Sequence, residues 1–184
     1  MNCVRNMPKR SDSIEFKTTL EKAGNDSGWY FIRVSAKQAA AFDFDGKGRR
    51  VVCTLNGRVK YQCALMPSRG DFVIIVNKKN REILGAVEGS PLSVLLEMDT
   101  SKYGLPMPKE FKEVLRQDRD GDRLFHSLTA GKQRTLIYAV GNIKNIDRRI
   151  HNALIIIQHL KDNSGKIDFP KLGEELKRPL SDIV

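Results

Sequence analysis

The sequence predicts an α+β chain, a small β-barrel followed by a helical domain. Three observations carry that expectation. Arg49 to Leu65 reads as one hairpin around Asn56-Gly57, with β-branched and aromatic runs on either side. Short alternating or wholly apolar runs recur from Ser13 to Met98. From Asp99 onward the apolar spacing becomes that of helices.

The hairpin register follows from side-chain parity. A strict two-residue turn sets Cys53 opposite Lys60 and Val51 opposite Gln62, so apolar residues meet polar ones. A three-residue loop, Leu55-Asn56-Gly57, pairs Cys53 with Val59 and Val51 with Tyr61 and gathers one apolar face. Gly57 then takes a left-handed conformation and a bulge follows. Bulges and strong twist favour a closed barrel over a flat sheet.

The other elements follow in order. Met1 to Asp12 reads as a disordered basic tail. Ser13 to Glu21 alternates Ile14, Phe16, Thr18 and Leu20, a half-buried strand. Gly24 to Gly28 is a loop, and Trp29 to Val34 a second strand with Tyr30, Ile32 and Val34 on one face. Ser35 caps a helix from Ala36 to Phe42, and Gln38 completes a capping box. Asp43 to Gly48 is a polar turn. After the hairpin, Pro67 to Asp71 is a turn and Phe72 to Val76 a strand; Lys78 to Leu84 is helical and stopped by Gly85. Leu92 to Met98 is the last of six strands.

Residues 100–108, with Pro106 and Pro108, form a stiff linker between the barrel domain at 13–99 and the helical domain at 109–162. Lys109 to Gln117 is a helix with Phe111, Val114 and Leu115 on one face. Asp122 to Leu128 is a short second helix. Thr129 caps a third, with Leu136, Ile137 and Val140 inward. Ile146 to Lys161 is the longest, with Ile150, Ala153, Leu154, Ile157 and Leu160 as its apolar stripe. Residues 163–184, with Gly165, Pro170 and Pro179, form a partly ordered extension.

Composition narrows the function. Hydrophobic content of 40% and charged content of 29% fit an ordinary globular protein. No apolar run reaches the roughly 20 residues of a bilayer span, and the N-terminus lacks the apolar core of a secretory signal. Cys3, Cys53 and Cys63 have no metal spacing and read as reduced thiols of a cytoplasmic protein. Lys and Arg total 32 against 22 Asp and Glu, a net charge of +10 that permits phosphate or anionic partners and also serves solubility.

Two patterns fail on inspection. Asp118-Arg119-Asp120-Gly121-Asp122 lacks the glycine position and terminal glutamate of a calcium loop and reads as a polar helix connection. Gly131-Lys132-Gln133 lacks the upstream glycine and following hydroxyl of a phosphate loop. His126, His151 and His159 are spaced too far apart for a joint ligand pair and read as surface or boundary residues, so no metal or cofactor is expected. No nucleophile motif stands out.

One constellation remains: Lys132, Arg134, Lys144, Arg148 and Arg149 around the third and fourth helices. Lys144, Arg148 and His151 share the face away from the apolar stripe, and Arg149 flanks it, placed to reach a core carboxylate. The bland reading is a solvated helix face with local ion pairs, favoured because charged outer faces are the rule. The functional reading is an anion site for phosphate, nucleic acid or an acidic partner.

Specific stretches resemble known families. The Trp29–Val34 strand, the short Ala-rich helix, Arg50 to Gly57 and Val76-Asn77-Lys78 resemble a bacterial barrel domain of unknown function. Pro108 to Phe111, Phe125 to Thr129 and Arg148-Arg149-Ile150 resemble the helical domain of the YdeI/OmpD-associated, bacteriocin-protection family. The resemblance spans about Ser13 to Lys161. It implies a double-split β-barrel, a class that also includes AbrB-type DNA-binding regulators, followed by a helical module. Gly89-Ser90 stands where the family has Gly-Asp. The resemblance brings no catalytic residues. The expectation is therefore a cytoplasmic, non-catalytic binding or stress-protection protein with a protein or small-ligand partner. The alternative is a nucleic-acid binder using the five basic residues.

Overall fold

The computed structural model describes residues 13–24, 28–44 and 48–179. The expected basic tail, the middle of the loops at 25–27 and 45–47, and residues 180–184 lie outside the described residues. The chain is α+β and divides into two compact units between Thr100 and Ser101.

The first unit carries eight strands among the described residues, where the sequence predicts six. They are β1 (Ser13–Thr19), β2 (Glu21–Lys22), β3 (Tyr30–Val34), β4 (Arg50–Leu55), β5 (Val59–Ala64), β6 (Met66–Ser68), β7 (Asp71–Ile75) and β8 (Pro91–Met98). Helix α1 (Ala36–Ala39) follows β3, and α2 (Lys78–Leu84) follows β7. The strands form two four-stranded sheets, ordered β1-β8-β4-β5 and β2-β3-β7-β6. The first predicted strand breaks at Leu20, where the chain leaves one sheet for the other. The chain changes sheets again at Leu65. Both residues are buried, at 1% and 3% exposure, because each turns its side chain into the shared core. Met66–Ser68, of which Pro67 and Ser68 are predicted as turn, is a strand that pairs with β7 through the tight reversal at Arg69-Gly70, both with positive φ.

The hairpin keeps the predicted parity and shifts the predicted pairing. Leu55 pairs with Val59, Cys53 with Tyr61 and Val51 with Cys63. Asn56 and Gly57 both have positive φ, and the Arg58 N–H donates to the Leu55 carbonyl at 3.0 Å. The extra residue is thus Arg58, after the turn, and not Leu55 before it. Asn56 causes the shift: its N–H donates to the Ser93 carbonyl and its Oδ1 accepts from the Ser93 N–H, each at 2.8 Å. The turn is thereby tied to β8, which also pairs with β4.

Val51, Cys53, Leu55, Ile32, Val34, Ile74 and Leu96 form a core that excludes solvent. The Tyr61 hydroxyl donates to the Ile75 carbonyl at 3.1 Å and links the two sheets. Burial pushes the Tyr61 phenol up, and the adjacent Cys53 thiol, then burial, does the same for Cys63. Both stay protonated, as packing residues should. The caps follow the sequence: Ser35 and Gln38 form the capping box, and Gly85 ends α2 with φ of 61°.

The second unit contains α3 (Lys109–Gln117), α4 (Arg119–Ser127), α5 (Ala130–Gly141), α6 (Ile146–Asp162) and α7 (Phe169–Glu175). Phe111, Val114, Leu115, Leu136, Ile137 and Val140 are buried as expected. Tyr103, Leu105 and Met107, from the predicted linker, pack against this helical core. Helix α4 begins three residues early because Asp118 caps it, accepting from the Gly121 N–H at 2.8 Å. The stretch read as a polar connection is therefore the first turn of a helix.

Helix α6 departs most from the expected pattern. Ala153, Ile157 and Leu160 are buried, but Ile150 and Leu154 are each 40% exposed. His151 and His159, expected near the surface, are 4% and 1% exposed. Helix α7 supplies the reason for the second of these.

Candidate functional site

The five predicted basic residues divide by what their side chains do. Lys132 and Lys144 are exposed and Arg134 is half-buried; none of the three pairs with a described acid. The Arg148 guanidinium donates to the carbonyls of Leu176 and Arg178, just past α7. The last carbonyls of a helix lack intrahelical partners and carry partial negative charge, so a guanidinium satisfies them well. Arg149 donates to the Ile143 carbonyl and lies 3.3 Å from the Glu110 carboxylate, the inward reach the sequence allows for. Two of the five guanidinium or ammonium groups are thus spent on tertiary structure.

The site the sequence does not reveal lies where α7 meets α6. Ser164 and Gly165 both take positive φ, and the Gly165 N–H returns to the Leu160 carbonyl at 2.7 Å. This reverses the chain after α6. Asp168 then caps α7, and Pro170 sits in its first turn, where a missing N–H costs nothing. Helix α7 turns Leu172 and Glu175 inward, to 4% and 9% exposure.

His159 is held on both sides. The Asp168 backbone N–H donates to its Nε2 at 3.2 Å, which places the ring proton on Nδ1. Nδ1 donates to Glu175 Oε2 at 2.7 Å. With both nitrogens committed and the side chain fully buried, the imidazole has no free lone pair for proton abstraction. It fastens α7 to α6.

Beside this contact lies a cavity of about 530 Å³ between α3, α6 and the end of α7. Val114, Leu154 and Ile155 give it apolar walls. Its polar rim carries Asp118, Asp162, Gln158 and Arg178. The Asp118 carboxyl lies below the usual carboxylate range because it accepts from the Gly121 N–H, with Lys161 at 2.9 Å adding to the effect. Gln158 donates to Asp162 at 2.7 Å, and the Lys161 ammonium feels the charge of Asp162 as well as that of Asp118. The cavity thus combines apolar walls with a rim of mostly hydrogen-bond acceptors. Among the described residues no group of three or more His, Cys, Asp or Glu could hold a metal ion.

Residues 16–96, from β1 into β8, match the family described as a domain of unknown function (DUF1905). No curated protein and no solved structure matches the chain. No helix among the described residues is long and apolar enough to cross a membrane.

Proposed function

We propose that the protein is a non-catalytic binding protein whose helical unit holds a small amphipathic cation in the cavity between α3, α6 and α7. The arrangement of His159 carries this reading. The one histidine in the cavity wall has both nitrogens occupied, so the cavity presents fixed acceptors and no free imidazole. Asp162 is the head-group contact, and Val114, Leu154 and Ile155 accommodate the apolar part.

In this reading the first unit is a double-split β-barrel and the second a YdeI/OmpD-associated type of helical module. The exchange of strands between sheets at Leu20 and Leu65 supports the former. The protein acts in the cytoplasm, in stress or bacteriocin protection, through binding and not turnover. A nucleic-acid role ranks second, because Arg148 and Arg149 are diverted into internal bonds.

Butylammonium serves as the probe in a titration of the full chain followed by backbone amide shifts. Saturable shifts at Gln117, Asp118, Gln158 and Asp162, weakened about tenfold in Asp162→Asn, are expected. Shifts that do not saturate, or an unchanged affinity in Asp162→Asn, would remove the cavity from consideration. A turnover abolished by one point substitution would overturn the non-catalytic reading.

A further inference from the structure

A second cavity, of about 410 Å³, opens between the start of the helical unit, α3 and α4. Its composition is the reverse of the first. Lys102, Lys112 and Arg116 line it, against one carboxylate, Asp122. Met107 and Leu115 form an apolar floor. Tyr103 gives it a flat wall, its ring 6.1 Å from that of Phe125, which is fully buried.

His126 organises the cationic side. Its Nδ1 lies 2.9 Å from the Asp122 carbonyl and 3.1 Å from the Asp122 carboxylate, so Nδ1 carries the proton. Nε2 then offers its lone pair to the Tyr103 hydroxyl at 2.8 Å and the Lys102 ammonium at 3.2 Å. Lys102 also lies 5.0 Å from the Tyr103 ring centre. An ammonium has three N–H donors, and the imidazole takes at most one. Lys102 is therefore held in place with donors left over. Lys112 and Arg116 stand four residues apart on one face of α3.

The geometry points to a binding site for a phosphate monoester on a small apolar or aromatic body. The choice of phosphate over carboxylate rests on charge: Lys102, Lys112 and Arg116 face a single lining carboxylate, Asp122, and suit a dianion better than a monoanion. The Arg116 Nε and one terminal nitrogen already form a fork on Glu113, at 2.9 and 2.6 Å. That engages one edge of the guanidinium and leaves the donors at its other end for a ligand. Beside it stand two ammonium groups from different segments, point charges that fit the spread oxygens of a phosphate. The Tyr103 ring and the Met107–Leu115 floor give the organic body an apolar surface to cover. This site is separate from the proposed cation cavity at Asp162 and stands or falls without it.

Phenyl phosphate is the probe, titrated into the full chain by calorimetry at low and at moderate salt. Inorganic phosphate and benzoate serve as comparison ligands. Phenyl phosphate is expected to bind saturably and at least about fivefold tighter than either. Lys112→Ala and Lys102→Ala should each weaken it about tenfold, while Lys132→Ala leaves it unchanged. Both lysines are exposed, so thermal melts of the variants should match the parent. No saturable binding would overturn the site. So would equal binding of benzoate, or an equal loss in Lys132→Ala, which would mark the attraction as general charge.

Discussion

The two units bury different things. Among the described residues, the β unit has Asn80 as its buried polar side chain, while the helical unit buries His151, Asn152, His159 and Glu175. In the β unit the ladder satisfies the backbone, and an all-apolar core fills the space between two sheets. Short helices cannot close so completely by apolar contact alone. The helical unit adds the buried His159–Glu175 contact, which fixes α7 on α6, and a cavity lies beside it. Buried polar contacts specify position but cost stability when half-satisfied, so the units should respond differently to the same kind of substitution.

The largest expected contrast comes from Glu175. In Glu175→Ala the His159 Nδ1–H loses its acceptor in a fully buried setting, and breaking such a pair costs about 3 kcal/mol. Tyr61→Phe in the β unit removes one bond, but a neutral and only part-buried one, and about 1 kcal/mol is expected. Urea unfolding of both variants measures the difference. Hydrogen exchange should show α7 amides losing protection in Glu175→Ala alone. Equal midpoints in the two variants would mean that α7 is held by Leu172 and not by the histidine.

That contrast also marks how far the sequence could be read. The β unit was legible because its alternation is local: Ile14, Phe16 and Thr18 face inward as their spacing says, and the Asn-Gly turn lies where expected. The errors there are of offset. Hairpin parity allows shifts of two residues, and only Ser93, a strand away, decides between them. Met66-Pro67-Ser68 is too short for periodicity to reveal. In the helical unit the errors concern partners. His159 reads as a boundary residue until Glu175, sixteen residues later, is placed against it. Arg148 reads as a surface cation until α7 offers its carbonyls. Helix α7 had a usable sign, since Asp168 followed by Pro170 is a helix start, but Gly165 and Pro170 read more readily as breakers. His126 was hidden for the same reason, its partners being Tyr103 and Lys102, more than twenty residues upstream.

Two glycines sharpen the comparison at smaller scale. Gly57 in the hairpin has φ of 64° and open space around the missing Cβ. Gly57→Ala therefore costs only the left-handed backbone, about 1 kcal/mol. Gly121 inside α4 has ordinary helical backbone, but a Cβ there would lie 2.3 Å from Ile157 Cγ2. Alanine normally improves a helix interior by roughly 0.5–1 kcal/mol. Overpacking of the α4–α6 contact opposes it by about 1–3 kcal/mol, so Gly121→Ala is expected to destabilise. The double substitution Gly121→Ala with Ile157→Val removes no clash, since both side chains keep the Cγ2 methyl. Ile157→Ala removes it, and should make the added methyl at 121 harmless. If Gly121→Ala costs as much on the Ile157→Ala background as alone, close approach is not the reason for glycine there.

The smallest effect separates the units by pH. Helix α2 in the β unit is capped by Asn77, which accepts from the Asn80 N–H at 2.8 Å without charge. Helix α4 is capped by Asp118, whose carboxyl is held below its usual range by the Gly121 N–H and Lys161. A carboxyl depressed in the folded state adds stability above its unfolded value, near about 3.9, and that stability is lost as pH falls through the folded value. Acid should therefore weaken α4 and leave the cap of α2 alone. Asn77→Ala is expected to cost about 1 kcal/mol at pH 7 and at pH 3 alike. Asp118→Ala should cost about 1 kcal/mol at pH 7 and less at pH 3, where the parent has already lost part of the contribution. Asp118→Asn separates cap from charge: asparagine caps well, so its cost at pH 7 is only the solvent-screened Lys161 pair and falls below that of Asp118→Ala. Amide exchange in α4 and α2 across this pH range reads each cap separately. An α4 whose protection falls with acid as steeply in Asp118→Asn as in the parent would place the titrating group elsewhere.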